Sequence, residues 1–153
     1  MLLRLFLVWR YYLNREERFT LAADSLGEAR ALNRSGIVIL VEGKRDVQAL
    51  RSLGFSGPIE QLNRGWPVDR VAVYLVEEFD EPPIVLMDWD RTGGRLQRTL
   101  VEALMSLDVI VSDEPRRTLS KSMRPDTLCV EDLDAFAEEI LPKMNLRDPE
   151  GAK

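Results

Sequence analysis

Two aspartates at alternate positions follow an apolar run in the middle of the chain. Residues 84–87 are four consecutive apolar residues, the pattern of a buried strand, and Asp88 and Asp90 come directly after them. Because side chains alternate along a strand, both carboxylates can point to the same side and hold a hard cation such as Mg2+. The same spacing also fits a simpler arrangement, in which one aspartate caps the next helix and the other lies in a solvated turn. The pair alone leaves both interpretations open.

A glutamate ends a second apolar run. Residues 37–41 are five apolar residues, four of them β-branched, and Glu42 and Gly43 follow. Functional groups in parallel sheets gather beyond the carboxyl ends of the strands, and the intervening chain is long enough to let these two strands lie side by side. We therefore expect Glu42, Asp88 and Asp90 to meet at one edge of the sheet. Three clustered carboxylates repel one another unless a divalent cation is present, so this arrangement favours a metal site.

Strands and helices alternate through the middle of the chain. Strands are predicted at residues 37–41, 58–63, 84–87 and 108–112, with a helix in each interval between them. This order indicates an α/β fold with a Rossmann-like, mostly parallel sheet of about four strands flanked by helices. Ser25 and Glu28 have the spacing of a capping box, which predicts a short helix from there to about residue 33.

The length of 153 residues favours one domain with a full core. We expect residues 1–35 to form an N-terminal helical extension packed on an α/β core of residues 36–112. Residues 113–153 should add a basic segment and a C-terminal helix to the same domain. That last helix is predicted over residues 131–141, where Pro142 would end it.

Composition excludes several kinds of chemistry. The chain has no histidine, which excludes a Ser-His or Cys-His nucleophile pair and histidine-ligated zinc. The single cysteine, Cys129, excludes an internal disulfide and is expected to be a small buried apolar residue. A net charge of -5 provides no overall attraction to nucleic acid, so such a partner needs a local basic patch. Acid-base and metal chemistry would fall to carboxylates.

The N-terminal residues are apolar but interrupted by charge. The longest uncharged internal run among residues 1–10 covers residues 5–9, far short of a membrane span, and a signal-peptide cleavage pattern is lacking. We expect a cytoplasmic protein with no membrane partner. The oligomeric state cannot be read from the sequence.

The two acidic motifs together resemble those of the TOPRIM domain, which topoisomerases, bacterial-type primases and small ribonucleases share. Residues 41–46 read Val-Glu-Gly-Lys-Arg-Asp and residues 88–93 read Asp-Trp-Asp-Arg-Thr-Gly, each after an apolar strand. The resemblance covers roughly residues 36–112. The chain lacks a zinc ribbon, the length of a primase core and a topoisomerase's tyrosine domain. It is most similar to small stand-alone TOPRIM proteins, including ribonucleases that mature ribosomal RNA.

The resemblance implies a role for each matching residue. Glu42 would act as general acid or base and help to hold the metal, while Asp88 and Asp90 would bind Mg2+, or Mn2+ in its place. Gly43 and Asp46 would support the turn after the first strand. The implied activity is Mg-dependent phosphodiester hydrolysis on nucleic acid, RNA slightly ahead of DNA, by a small nuclease.

Basic residues near these motifs are candidates for phosphate contact. Lys44, Arg91 and Arg95 lie beside the acidic motifs, although each is also typical of a solvated helix face. A basic segment follows at Arg116, Arg117, Lys121 and Arg124. Trp89 is expected to pack beneath the site, with base stacking as its alternative.

Two other functions fit the same residues. The domain could be a non-catalytic module that keeps the metal site and only binds nucleic acid. Alternatively, residues 88–93 resemble the first motif of haloacid-dehalogenase-type phosphatases, in which Asp88 would be a nucleophile. The later lysine and paired acidic motif of that family have no good match in the chain.

Overall fold

Helices surround a small parallel sheet in this computed structural model, which describes residues 13–153. The α-helices are α1 (Arg15–Arg34), α2 (Lys44–Ser52), α3 (Val68–Glu78), α4 (Arg91–Met105), α5 (Glu114–Met123) and α6 (Ala137–Arg147). The strands are β1 (Ile39–Val41), β2 (Ile59–Gln61) and β3 (Ile84–Val85). Short 3-10 helices occupy Val130–Phe136 and Pro149–Ala152. The first twelve residues of the predicted N-terminal extension lie outside the described range.

The sheet has the strand order β2–β1–β3, and both pairs are parallel. Ile39 in the central strand lies opposite Ile59 on one side and Ile84 on the other. The Leu86 N–H donates to the Leu40 carbonyl at 2.8 Å, so the contact between β1 and β3 continues beyond the two residues of β3. This arrangement confirms the α/β class and places the carboxyl ends of β1 and β3 next to each other.

Both faces of the sheet are buried, as expected for uninterrupted apolar strands. On one face Ile39 and Val41 pack against α1, α2, α5 and α6. On the other face Val38 and Leu40 pack against α3 and α4. Alternate residues of β1 therefore serve two separate clusters, and the first polar side chain after β1 is that of Glu42, at the end of the strand.

The fourth predicted strand, at residues 108–112, does not pair with the sheet in the described part of the chain. Asp108 has a φ of 61°, and the Val109 N–H turns back to donate to the Leu104 carbonyl at 3.0 Å, which terminates α4. Val109 and Val111 still pack against the α3–α4 face. The apolar pattern therefore predicted the burial of these side chains correctly, but the prediction that residues 108–112 pair with the sheet as a strand is wrong.

Gln97 occupies the edge of β3 where a fourth strand would bind. Its side-chain amide donates to the Val85 carbonyl at 2.9 Å and accepts from the Met87 N–H at 3.1 Å. Residues 84 and 86 direct their N–H groups toward β1, so residues 85 and 87 present theirs to the opposite edge. One buried glutamine from α4 thus satisfies two of the backbone groups that an edge strand leaves open, the Val85 carbonyl and the Met87 N–H.

Two predicted helix boundaries are wrong. The helix expected to start at Ser25 begins at Arg15, where Asn14 caps it by accepting the Glu17 N–H at 2.8 Å. Ser25 is buried inside this helix, and its hydroxyl donates to Glu114 at 3.1 Å. The residues predicted as one helix at 131–141 divide between a 3-10 helix and α6, and Pro142 lies inside α6.

A buried arginine ties the end of the chain to α1. Arg30 is 1% exposed, and its Nε donates to Asp148 Oδ2 at 2.7 Å. Its Nη1 donates to the Leu53 carbonyl at 3.0 Å, while Arg34 Nη2 donates to Asp148 Oδ1 at 2.6 Å. Because these contacts join α1, the end of α2 and the end of α6, they hold the first face of the sheet closed.

Candidate functional site

Glu42 and Asp88 meet at the carboxyl edge of the sheet. The Asp88 N–H donates to Glu42 Oε1 at 3.1 Å, which joins the residue after β1 to the loop after β3. The contact follows from the parallel pairing of these two strands. The two acidic motifs are therefore adjacent, as we expected from the length of chain between them.

Asp90 caps the helix that follows it. Its Oδ1 accepts the Gly93 N–H at 2.7 Å, and its extended backbone is that of an N-cap residue. A Cβ atom on Gly93 would lie 2.0 Å from the Asp88 carbonyl oxygen, so the first turn of α4 rests directly on the Asp88 backbone. The capped-turn interpretation is thus correct for one oxygen of Asp90.

Asp46 supports the turn between β1 and α2. Its Oδ2 accepts the Gly43 N–H at 3.0 Å, and the carboxylate is almost completely buried. Gly43 is the N-cap residue of α2 and has no side chain to cap the helix, so Asp46 fixes the turn from within it. This is the supporting position that the resemblance implies for Gly43 and Asp46.

The surroundings of the carboxyl groups in the site disfavour their ionisation. Burial raises the pKa of Asp88 to about 7, and the negative charges of Glu42, Asp46 and Asp90 act in the same direction. Burial is also the largest cause that raises the pKa of Glu42, to which Asp46 and Asp90 contribute. Burial raises the pKa of Asp46 in the same way. Because opposite charge would relieve this repulsion, the site is electrostatically suited to a cation.

The arrangement limits how a cation can be held. The oxygens of Glu42, Asp88 and Asp90 do not all come within 4.8 Å of one another. Asp88 Oδ1 also accepts the Val130 N–H at 2.9 Å. Mg2+ commonly takes one or two protein carboxylates and retains several waters, so Glu42 and Asp88 fit a hydrated ion better than a set of three direct ligands.

A segment near the C-terminal end, residues 127–130, forms one wall of the site. The Leu128 carbonyl accepts the Trp89 N–H at 3.0 Å, and the Thr127 carbonyl accepts Trp89 Nε1 at 2.7 Å. Trp89 is 1% exposed, so it packs beneath the site and offers no face for base stacking. Sequence reasoning missed this wall because backbone groups make the contacts, and these leave no pattern in residue types.

Comparison with known proteins identifies the family. No protein-family model matches the chain. A UPF0292 protein of Archaeoglobus fulgidus is 32% identical over 117 residues, which cover 76% of this chain and 90% of the relative. A UPF0292 protein of Pyrococcus horikoshii is 36% identical over 122 residues, covering 80% and 86% of the two chains. The chain belongs to the UPF0292 family.

A solved structure gives this UPF0292 chain a structural counterpart. A protein from Aquifex aeolicus superposes with a TM-score of 0.59 at 27% identity, covering 71% of this chain and 94% of its own. The names of these proteins state no activity, ligand or partner. No helix among residues 13–153 combines the length and the apolar character that a membrane crossing requires.

The basic candidates of this UPF0292 chain lie on the same edge but differ in their surroundings. Lys44 begins α2 and Arg91 begins α4, and both are exposed, as is Arg95 one turn further along α4. Arg116 and Arg124 contact the loop itself, because they donate to the carbonyls of Asp88 and Trp89. The sequence suggested a basic segment here, but not that it holds the acidic loop.

Substitution of Asp88 by asparagine should stabilise the metal-free protein at alkaline pH. A folded-state pKa of about 7 lies above the ordinary value near 4, so ionisation of Asp88 destabilises the fold as pH rises between these values. After allowance for partial solvent screening, we expect Asp88→Asn to raise the free energy of unfolding by about 1–2 kcal/mol at pH 8 in EDTA. Urea denaturation at several pH values measures this.

The gain should shrink as pH falls and be nearly gone at about pH 3, below the unfolded-state pKa, where the wild-type carboxyl is protonated in both states. Asp80→Asn is the matched control, since it makes the same change at an exposed position. If Asp88→Asn and Asp80→Asn changed the free energy of unfolding equally at pH 8, the result would contradict the expectation.

Proposed function

We propose that this chain carries out Mg-dependent phosphodiester chemistry on nucleic acid, as a small TOPRIM-like nuclease of the cytoplasm. The observation that carries the proposal is the contact between Glu42 and the Asp88 backbone, which joins two partly buried carboxylates of raised pKa at one sheet edge. The residue types of the two motifs and their order along the chain resemble those of TOPRIM ribonucleases, which also supports the proposal. We place RNA ahead of DNA as substrate on that resemblance.

Glu42 is the residue best placed to handle a proton. Its Oε1 accepts the Asp88 N–H, which leaves Oε2 as the oxygen that can take a proton from an attacking water and return it to the leaving oxygen. The pKa of Glu42 is raised toward neutral pH, and an acid-base group works most efficiently when its pKa is near the operating pH. The hydrogen bond to the loop also fixes the direction of the side chain.

Glu42 and Asp88 would hold the metal, with Asp90 contributing through its second oxygen or through water. At these residues Mg2+, or Mn2+, would supply positive charge for the phosphate and would make a coordinated water more acidic. Asp90 and Asp46 keep the two loops in position through the caps of α4 and α2. Lys44, Arg91 and Arg95, exposed on the same edge, are proposed to meet the phosphates of the substrate.

A non-catalytic module that binds nucleic acid is the second candidate. The cap made by Asp90 favours it, because the three acidic side chains do not converge closely enough to be direct ligands of one ion. Such a module would bind metal weakly by itself and would not cut its partner.

Cleavage of labelled RNA and DNA with Mg2+, Mn2+ or EDTA separates these functions. We expect metal-dependent cleavage by the wild type and a loss of about 100-fold or more in Glu42→Gln, since the acid-base group is removed. Glu77→Gln, at an exposed position of α3, is the matched control and should cleave like the wild type.

Two results would overturn the nuclease, and one would overturn only the role of Glu42. Stable binding without cleavage would support the module instead. Cleavage that persists in Glu42→Gln would remove the proposed role of that residue. Hydrolysis of p-nitrophenyl phosphate that is lost in Asp88→Asn but kept in Glu42→Gln would point to a haloacid-dehalogenase-type phosphatase.

A further inference from the structure

Two arginines hold consecutive carbonyls of the acidic loop. Arg116, on α5, donates from Nε and Nη2 to the Asp88 carbonyl at 3.2 and 3.0 Å. Arg124, directly after α5, donates from Nη2 to the Trp89 carbonyl at 2.9 Å. Each guanidinium carries five N–H donors in a rigid fork, so donors remain on both residues after these contacts.

Neither guanidinium has a carboxylate partner. Among residues 13–153 no Asp or Glu oxygen lies within 4.0 Å of the nitrogens of Arg116 or Arg124, whereas the neighbouring Arg117 pairs with Asp113 at 3.0 Å. Burial is the main cause that lowers the pKa of Arg116, and the charge of Arg124 is the next. Two cations therefore lie within electrostatic range of each other, although the charges of Asp113, Asp90 and Asp88 act on Arg116 in the opposite direction.

The location of this pair matters as much as its charge. The arginines hold the backbone of the loop whose Asp88 N–H meets Glu42 on the other side. The Nη2 of Arg116 also lies 3.4 Å from the position of a Cβ on Gly94, in the first turn of α4. An anion bound between the arginines would thus lie next to the carboxylates, near the positive end of a helix.

We propose that Arg116 and Arg124 form a phosphate-binding pair that receives a backbone phosphate of the nucleic acid beside the proposed metal site. The pair rests on the proposed function, which supplies the polyanion. Arginine suits this position because its fork can hold a carbonyl with one edge and a phosphate with another, which the single ammonium of lysine does less well. A net charge of -5 makes such a local patch necessary for nucleic acid to bind.

Fluorescence anisotropy with a fluorescein-labelled single-stranded RNA, and with its DNA counterpart, tests the pair. In EDTA, where metal-dependent cleavage is off, we expect Arg116→Gln and Arg124→Gln each to weaken binding about tenfold. Each should also reduce the slope of log affinity against log salt by about 1, because one phosphate contact is lost. Arg117→Gln removes the same charge from the same helix and should change affinity less than about twofold.

Loop disruption needs a separate control, because Arg116 also supports the backbone. Thermal unfolding identifies any variant that fails to fold. If Arg116→Gln does not fold, Arg124→Gln still tests the pair, because Arg124 is exposed. Arg116→Lys, which keeps the charge and one contact, should recover part of the lost affinity.

The two proposals fail in different ways. Arginine variants that bind like Arg117→Gln overturn the pair, even if Glu42-dependent cleavage is found. The pair is also overturned if it binds inorganic pyrophosphate while the arginine variants bind both oligonucleotides as tightly as the wild type does. Arginine-dependent binding by a wild type that cleaves neither RNA nor DNA supports the pair and overturns the nuclease.

Discussion

Replacement of Asp148 by asparagine is expected to lower the free energy of unfolding by about 3–5 kcal/mol, as when one partner of a buried ion pair is removed. Arg30 is 1% exposed and would keep its charge, while its Nε and the Nη2 of Arg34 would lose the carboxylate that they contact at 2.7 and 2.6 Å. Guanidinium chloride denaturation at pH 7 measures the loss. It should exceed the effect of any surface substitution.

Acid should reduce this difference. Hydrogen bonds from Arg34, and then from Arg30, lower the pKa of Asp148 to about 2 against the effect of burial. The stabilisation is therefore complete above the unfolded-state pKa near 4 and declines as pH falls toward 2. Glu28→Gln is the control, because Glu28 pairs with Arg147 at the surface, where solvent screening leaves such a pair little effect on stability. Equal losses in the two variants would contradict the buried network.

Alanine at Gly93 should have a comparable effect, for a steric reason. Its Cβ would lie 2.0 Å from the Asp88 carbonyl oxygen, and backbone on both sides prevents an easy shift. We expect the free energy of unfolding to fall by about 2–4 kcal/mol. Since α4 must move away from Asp88, the proposed cleavage should also fall well below the wild-type rate at temperatures where the variant remains folded. Urea denaturation and the cleavage assay measure the two effects.

Gly94→Ala provides the matched control for Gly93→Ala. The added Cβ would lie 3.4 Å from Arg116 Nη2, at the far end of a flexible side chain, and alanine favours the helix. We expect unchanged stability or a gain of up to about 1 kcal/mol. If both alanine variants were equally stable, the close approach at Gly93 would be disproved.

The sequence predicted the central strands well because burial on both faces leaves a strong signal. Residues 37–41 and 84–87 are continuous apolar runs, and alternate residues of β1 do serve two different clusters. The same signal misled at residues 108–112, where burial of Val109 and Val111 occurs without pairing. Apolar periodicity reports which side chains are buried, and it cannot report which backbone groups are already satisfied by a side chain such as Gln97.

The site was predictable only in the part that side chains encode. The order of the two motifs placed Glu42 beside Asp88, and their contact follows from parallel pairing. The cap made by Asp90 was one of two open alternatives, since an aspartate before a helix can cap it or bind an ion. The arginine contacts to the loop end on backbone carbonyls, which every residue possesses, so their partners could not be read from residue types.

The wall formed by residues 127–130 affects when the site forms during folding. Val130 reaches Asp88 across 42 positions, and Thr127 reaches Trp89 across 38. Contacts at this separation form only after chain entropy has been lost, so they tend to come late in folding. A growing chain on the ribosome would therefore contain both acidic motifs before it has the groups that orient them. We expect the proposed metal affinity to appear abruptly, when the last third of the chain folds, and not gradually as the motifs are synthesised.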